Sequence, residues 1–220
     1  MLGLAFITQT EGLQYTTASN AALITGLYLI FIPIFAAIFF RTKSNLLSVI
    51  GAIISLIGLY FLTQYSFTGM NIGDVLMLLC AIVAAWQIIY TGRYSVRHNL
   101  IPLVAFQFLT VAIICGVVAL FKGGFTTAIP RIAIITIIVT SLFATVLAFT
   151  VQAAAQRVID PTRAGIILAM EAVFGVIFAY WWGGERLTTI SMMGGGIMIL
   201  GMVISEIHPI RRYLIEKLFN

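Results

Sequence analysis

One acidic residue, Glu171, lies in the middle of the apolar stretch ILAMEAVFGVIFAY, residues 167–180. If this stretch crosses a bilayer, an ionised carboxylate near its centre costs roughly 3 kcal/mol even on permissive insertion scales. Such a side chain must face neighbouring helices, a water-filled cavity or a hydrogen-bond partner, and it can take up a proton. Two chemistries fit: a neutral carboxyl that hydrogen-bonds between helices, or a group that binds a substrate or takes part in proton coupling.

Uncharged polar side chains form a second group of candidates. Separations of 4, 7 and 4 residues place four of them close to one face of the stretch 132–156: Ser141, Thr145, Gln152 and Gln156. A hydroxyl can bond to its own helix backbone, but a glutamine inside a membrane needs a partner or water. This face is therefore a candidate lining for a polar cavity. Four further side chains are candidates for the same space: Trp86, Gln87, Tyr90 and Gln107. For Trp86 and Tyr90, anchoring at the membrane interface is the open alternative.

The elements that must position these side chains are membrane-spanning helices. Of the 220 residues, 61% are hydrophobic and 9% are charged, with a mean hydropathy of +1.11, whereas a soluble domain carries about 25% charged residues. Apolar runs of about 18 or more residues predict transmembrane helices, and seven are present: 18–40, 44–64, 72–91, 101–121, 132–156, 162–182 and 188–206. The sequence predicts an all-α polytopic membrane protein with seven full transmembrane helices and a partial one before them.

The distribution of basic residues predicts the orientation in the membrane and argues against nucleic-acid binding. The net charge is +5, and nine of the twelve Lys and Arg residues fall in alternate connections and the tail: Arg41, Lys43, Arg93, Arg97, Arg157, Arg163, Arg211, Arg212 and Lys217. Because basic residues stay on the cytoplasmic side of short loops, we expect a multi-pass plasma-membrane protein with a cytoplasmic C-terminus. The basic tail, 207–220, is expected to form a short interfacial helix that begins at Pro209.

An internal repeat appears when the chain is aligned with itself at an offset of 143 residues. Residues 1–63 then show 14 identities with 144–206, including Gln9 against Gln152, and Tyr28 lies opposite Glu171. Gln9 and Tyr28 are therefore further candidates for the substrate cavity or for coupling. The complete unit holds five spans, and an odd number requires the two copies to lie with opposite orientation, with a substrate site near the midplane between them. We expect an inverted repeat, ten helices when complete, in which 1–66 is the C-terminal part of the first unit and 67–206 is the second.

Small residues predict where two helices approach closely. They recur at similar spacing in both units: Ser48, Gly51, Ser55 and Gly58, then Ser191, Gly194 and Gly201. Small side chains let helix backbones come together in lipid, where no hydrophobic drive acts between helices. We therefore expect these residues to serve helix packing.

Longer segments resemble a known family. QTEGLQYTTASNAALITGLYLIFIP (9–33) and GAIISLIGLYFL (51–62) resemble the first EamA domain of the drug/metabolite transporter superfamily, and ILAMEAVFGVIFAYWWGGERLTTISMMGGGIMILG (167–201) resembles the second. The resemblance implies two inverted five-helix repeats that move small metabolites by alternating access. It matches Glu171 to the acid of an E-P-V-F element and Glu185 to that of a G-E-R element. The sequence departs from the family at Ala172, which replaces a proline, and at Thr42, which replaces the first G-E-R acid.

The expected function is therefore that of a membrane transporter, an exporter of small metabolites or drug-like solutes, with no cofactor and no metal. The expected partners are a small-molecule substrate and the lipid bilayer, and a homodimer stays open. One alternative is a truncated, inactive or regulatory membrane protein. A remote alternative is an intramembrane enzyme, which lacks support because His98 and His208 flank the spans and Glu171 is the only acid near the midplane.

Overall fold

The protein is helical throughout the part of the chain that the structure describes. This computed structural model describes residues 1–41, 44–64, 71–121, 130–181 and 188–219, with side chains up to 207 apart from position 179. Thr42, Lys43, Lys122, Glu185 and Arg186 lie outside the described residues, as do the side chains of the tail. The described α-helices are α1 (Leu2–Gly12), α2 (Ala18–Gly26), α3 (Tyr28–Phe40), α4 (Leu46–Thr63), α5 (Ile72–Ser95), α6 (Leu100–Phe121), α7 (Arg131–Val139), α8 (Ala148–Ala155), α9 (Pro161–Trp181) and α10 (Thr189–Phe219). A π-helical segment, Thr140–Leu147, joins α7 to α8.

Seven helical stretches are long and apolar enough to cross a membrane, which confirms the seven predicted spans. They are Ala18–Phe40, Leu46–Thr63, Ile72–Ser95, Leu100–Phe121, Arg131–Ala155, Pro161–Phe178 and Thr189–Ile207. Helix α5 continues one turn beyond the predicted span, to Ser95. In this extra turn Tyr94 stacks on Tyr90, with ring centroids 5.9 Å apart.

The tail differs from the prediction, because no separate helix begins at Pro209. Instead α10 runs unbroken for 31 residues from Thr189 to Phe219. Proline removes one backbone hydrogen bond, and the helix nevertheless continues through this position. At 1.5 Å per residue α10 is about 46 Å long, so it extends well beyond a hydrocarbon core of about 30 Å.

The span Ala18–Phe40 is interrupted at Leu27, where α2 ends and α3 begins. The Leu27 amide donates to the Ile24 carbonyl at 3.1 Å, a bond three residues back that tightens the turn. A Cβ at Gly26 would collide with the side chain of Leu59, so glycine allows α2 to lie directly against α4. The new helix then begins at Tyr28, which faces α9.

Helices α4 and α10 form an antiparallel pair whose backbones touch. A Cβ at Gly51 would lie 2.5 Å from the Gly201 carbonyl oxygen, and a Cβ at Gly58 would lie 2.7 Å from that of Gly194. The order of these contacts shows that the two helices run in opposite directions. The two contacts, Gly51 with Gly201 and Gly58 with Gly194, are related to each other by the 143-residue offset. The offset aligns Gly51 with Gly194 and Gly58 with Gly201.

Serines complete the interface between α4 and α10. Ser55 donates its hydroxyl to the Met198 carbonyl at 3.5 Å, and Ser191 donates to the Leu62 carbonyl at 3.2 Å. These two bonds satisfy polar groups in a region where lipid offers no hydrogen bonds. Ser48 is also fully buried, and its hydroxyl forms no hydrogen bond with any described residue.

Two spans contribute little to the protein core. Helix α6 buries only Val104, and α7 and the π-helical segment bury no described residue. The main core cluster lies among α3, α4, α9 and α10: Leu29, Ala52, Leu59, Leu62, Ile166, Ala169, Met170, Val173 and Met198. The described surface of α6 and α7 is therefore apolar and outward-facing, as expected for helices that contact lipid.

Candidate functional site

A cavity lined by both apolar and polar side chains lies between α1, α2, α3, α5, the π-helical segment, α8 and α9. Its volume is about 400 Å³, which falls in the range of small-molecule sites. We call it the central cavity, and its polar lining residues are Gln9, Thr25, Tyr28, Gln87, Thr145, Gln152 and Glu171. Six of these seven residues are site candidates predicted from the sequence, and Thr25 is not.

Glu171 lies at the depth of the bilayer centre. It follows Pro161, the first residue of α9, by ten residues, or about 15 Å of helix, which is half of a 30 Å hydrocarbon core. Its side chain is exposed to the cavity and forms no hydrogen bond or ion pair with any described residue. Tyr28 lines the same cavity, but its hydroxyl donates to the Gly165 carbonyl at 3.3 Å. The carboxylate is therefore available to a proton or a solute.

An amide network forms one wall of the cavity. Gln152 donates to Gln87 and to Gln156, each at 3.5 Å, and Gln156 donates to a backbone carbonyl of α5 at 3.0 Å. Gln87 and Gln107 both donate to Thr91, at 3.0 and 3.1 Å. The network fixes Gln87 and Gln152 in the lining. Gln156 lies buried behind them, and Gln107 lines a smaller neighbouring cavity of about 190 Å³ together with Gln87.

Two sequence candidates lie away from the central cavity. Ser141 is exposed on the π-helical segment and lines none of the described cavities, because π-helical winding shifts the faces assumed from a regular α-helix. Trp86 instead packs among aromatic rings of α3, with centroids 5.1 Å from Phe35 and 4.8 Å from Phe39, and it stacks on Tyr90 at 5.6 Å. This environment is an aromatic cluster rather than a polar lining.

The lining is organised by the internal repeat. Twelve of its seventeen residues form six pairs at the offset of 143: Leu2/Thr145, Ala5/Ala148, Phe6/Phe149, Gln9/Gln152, Thr25/Leu168 and Tyr28/Glu171. The remaining lining comes mainly from α5, which contributes Cys80, Ala84, Gln87 and Ile88. The cavity therefore lies between segments that the 143-residue offset relates to each other.

Of the eleven lining residues that the sequence did not indicate, four carry an aromatic, hydroxyl or thiol side chain: Phe6, Thr25, Cys80 and Phe149. Phe6 and Phe149 face each other edge to face, with centroids 6.3 Å apart at 74°, and the matching LAF of the two repeats is the signal that indicates them. Thr25 lies one helical turn before Tyr28, and Cys80 is buried against the Ala5 carbonyl at 3.4 Å. Among the described residues, no group of three or more His, Cys, Asp or Glu is placed to hold a metal ion.

Two further cavities adjoin the central one. The α2-side cavity, of about 360 Å³, shares five lining residues with it: Gln9, Thr25, Tyr28, Leu168 and Glu171. The α8-side cavity, of about 430 Å³, shares three: Ala148, Gln152 and Leu168. Four pairs at the repeat offset relate these two side cavities: Gln9/Gln152, Leu13/Gln156, Ala21/Ala164 and Thr25/Leu168.

Comparison with protein families identifies one matching family. The profile of the EamA-like transporter family matches residues 1–64 and 71–206. A solved crystal structure has a TM-score of 0.80 over 94% of this chain and 74% of its own, at 16% identity. At that identity the likeness shows a shared fold alone.

Curated relatives carry transporter names. The chain is 33% identical over 207 residues to an uncharacterized transporter of Archaeoglobus fulgidus, covering 93% of this chain and 66% of the relative. It is 24% identical to the uncharacterized transporter YdfC of Bacillus subtilis, covering 91% of this chain and 67% of the relative. It is 25% identical to an uncharacterized transporter of Methanothermobacter thermautotrophicus, covering 91% of this chain and 59% of the relative. The chain thus spans about two thirds or less of the length of these relatives.

Proposed function

Because the chain belongs to the EamA-like transporter family, we propose that it forms the solute path of a membrane transporter that binds a small solute in the central cavity. The observation that supports this function best is Glu171, a carboxylate at mid-membrane depth in this cavity without a partner among the described residues. A carboxylate inside the membrane without a protein partner is energetically costly, and residues of this kind typically bind a proton or a ligand. The solute is released to either side of the membrane by alternating access.

The symmetry of the fold supports alternating access. Helices α4 and α10 occupy equivalent positions in the two units and run antiparallel, as an inverted repeat requires. Along α9, the lining of the α2-side cavity extends from Leu168 to Gly175 and that of the α8-side cavity from Leu168 back to Ala164, and the same offset relates the two cavities. Exchange between two related conformations would enlarge one side cavity while it closes the other, and so expose the solute to each side in turn.

The chemistry of the lining defines the kind of solute. Its described residues offer one carboxylate, three glutamine amides and three hydroxyls, with no described lysine or arginine among them. Such a lining fits a small solute that donates hydrogen bonds or carries positive charge, and it disfavours an anion beside Glu171. Protonation of Glu171 would then compete with solute binding, which couples transport to the proton gradient.

The orientation follows from the basic residues. The positive-inside rule places the ends of α5 and α8, which carry Arg93, Arg97 and Arg157, on the cytoplasmic side of the plasma membrane. The C-terminus of α10 lies on the same side. The resemblance to the family, rather than the charge distribution, implies that transport is directed outward as an export reaction.

Site-directed cysteine labelling tests the proposal at one residue pair. Thr145 lines the central cavity, while Ser141 lies on the same π-helical segment outside the described cavities. Both native cysteines, Cys80 and Cys115, are first replaced by alanine. Thr145→Cys and Ser141→Cys are then labelled with N-ethylmaleimide in membranes, in the presence of amines such as tyramine and agmatine, neutral amino acids, sugars or carboxylic acids.

The expected result is that at least one amine slows labelling of the Thr145→Cys protein severalfold and leaves Ser141→Cys unchanged. The reason is that a bound solute covers the cavity wall but not the outward surface. If no solute of the panel protects Thr145→Cys, or if both positions are slowed equally, the central cavity does not hold the solute and the proposal is wrong.

A further inference from the structure

A second, separate cleft lies at the membrane end where α5 ends, α6 begins and α8 ends. It has a volume of about 420 Å³ and is lined by Val96, Arg97, His98, Asn99 and Arg157. We call it the basic cleft. It shares no lining residue with the central cavity, so a solute path does not explain it.

One cationic group of the cleft, the Arg157 guanidinium, is held in place by the backbone. Arg157 donates from Nε to the Ser95 carbonyl and from an Nη to the His98 carbonyl, each at 2.9 Å. A guanidinium has five N–H groups in a fixed planar fork, so several remain free for a ligand. The His98 ring packs on Tyr94, with centroids 5.9 Å apart. The cleft is therefore partly preorganised.

The positive charge of the cleft is not neutralised by described residues. Neither Arg97 nor Arg157 has a carboxylate partner within the described part of the chain. The nearby acids are engaged elsewhere: Asp160 accepts from backbone amides in the first turn of α9, and Glu206 pairs with Arg163. An anion is the complementary ligand.

The start of α6 adds to this preference. Asn99 accepts from the Leu103 amide at 3.2 Å and so opens the helix at the cleft. The unpaired N–H groups of a first helical turn carry partial positive charge and attract anions.

Apolar side chains beside the cleft distinguish between anions. Val96 is 65% exposed, Ile101 is 81% exposed and Val158 is 85% exposed. These residues flank the ends of membrane spans, at the level where lipid headgroups meet acyl chains. A free phosphate would leave these side chains without a partner, whereas a phospholipid supplies both an anionic headgroup and acyl chains.

We propose that the basic cleft binds the headgroup of an anionic phospholipid. The phosphate lies between Arg97 and Arg157, at the start of α6, and the acyl chains lie along Val96, Ile101 and Val158. Basic pockets between transmembrane helices are suited to such headgroups. The bound lipid fixes the α5–α6 turn against the end of α8, which already contacts this turn through Arg157.

Lipid titration followed by native mass spectrometry tests this site. The full chain is purified in detergent and titrated with dioleoylphosphatidylglycerol, with dioleoylphosphatidylcholine, or with sodium phosphate before phosphatidylglycerol. The decisive variant is Arg97→Gln, because the exposed Arg97 side chain forms no hydrogen bond with any described residue and its loss leaves the fold intact. Arg97→Lys retains the charge.

Arg93→Gln is the matched control. It removes the same charge from the same end of α5, but Arg93 lies over the Phe40 ring, 4.8 Å from its centroid, and does not line the cleft. We expect Arg97→Gln to weaken phosphatidylglycerol binding about fivefold, since one basic residue near a membrane surface contributes about 1 kcal/mol. Arg97→Lys restores most of the affinity and Arg93→Gln retains it.

Each opposite result overturns the proposal. Equal affinity for phosphatidylcholine would show that headgroup charge is not recognised. Equal losses in Arg97→Gln and Arg93→Gln would show a diffuse electrostatic effect rather than a site. Full displacement of phosphatidylglycerol by millimolar phosphate would assign the cleft to a soluble anion.

Discussion

Replacing Gly194 with alanine should force α4 and α10 apart. The added Cβ would lie 2.7 Å from the Gly58 carbonyl oxygen and still closer to the Leu62 amide nitrogen, whereas an ordinary contact is about 3.5 Å. The shortfall is about 0.8 Å at the Gly58 oxygen and larger at the Leu62 nitrogen. Rotation of a side chain cannot relieve it because both neighbours are backbone atoms. Overpacking of this kind costs about 1–3 kcal/mol.

Gly196→Ala, two residues further along α10, is the matched control. A Cβ at Gly196 meets nothing within 4 Å among the described residues. Both substitutions gain about 1 kcal/mol of helix propensity, so their difference isolates the cost of the close contact. Unfolding is measured by titration with SDS in mixed micelles, followed by circular dichroism. We expect Gly194→Ala to be less stable than Gly196→Ala by about 1–3 kcal/mol. Equal stabilities would refute the close approach of the two helices.

Three further predictions concern the amide network, an ion pair and the orientation. Gln87→Leu removes the partner of Gln152 and of Thr91 and should lower the free energy of unfolding by about 1–3 kcal/mol in the same SDS titration; no loss would mean that water satisfies these groups. A double-mutant cycle of Arg163→Gln and Glu206→Gln should give a coupling of about 0.5–1 kcal/mol that falls with salt, and a coupling of zero would contradict it. A green fluorescent protein fused to the C-terminus should fluoresce while an alkaline phosphatase fused there stays inactive; the reverse would place that end outside.

The spans are predictable from the sequence because their physical requirement is simple. A helix that crosses about 30 Å of hydrocarbon needs about 20 apolar residues and can expose no unpaired backbone. All seven runs satisfy this requirement, and the structure has a helix at each. The offset of 143 is visible for a related reason: equal spacing of Gly51 and Gly58 in one unit and of Gly194 and Gly201 in the other is required for equivalent close contacts.

The faces of the helices are harder to predict. In a membrane protein the core and the lipid-facing surface are both apolar, so hydropathy does not tell them apart. Trp86 illustrates this. From the sequence, its side chain could line a cavity or join an aromatic cluster, and only the structure shows that it packs against the aromatic rings of α3. Ser141 illustrates a second limit to predicting helix faces. A π-helical segment changes the angle between successive residues, and no local sequence pattern predicts this segment.

Proton-driven uptake by the Glu171→Gln protein is the most direct test of the central claim. The chain and this variant are reconstituted in liposomes, and accumulation of the amine that protects Thr145→Cys is measured under an imposed pH gradient. We predict that the wild-type chain accumulates the amine and loses it when the gradient collapses, whereas the variant shows no gradient-driven accumulation. Equal accumulation by both proteins, with the same pH dependence, would contradict a coupling role for the Glu171 carboxylate.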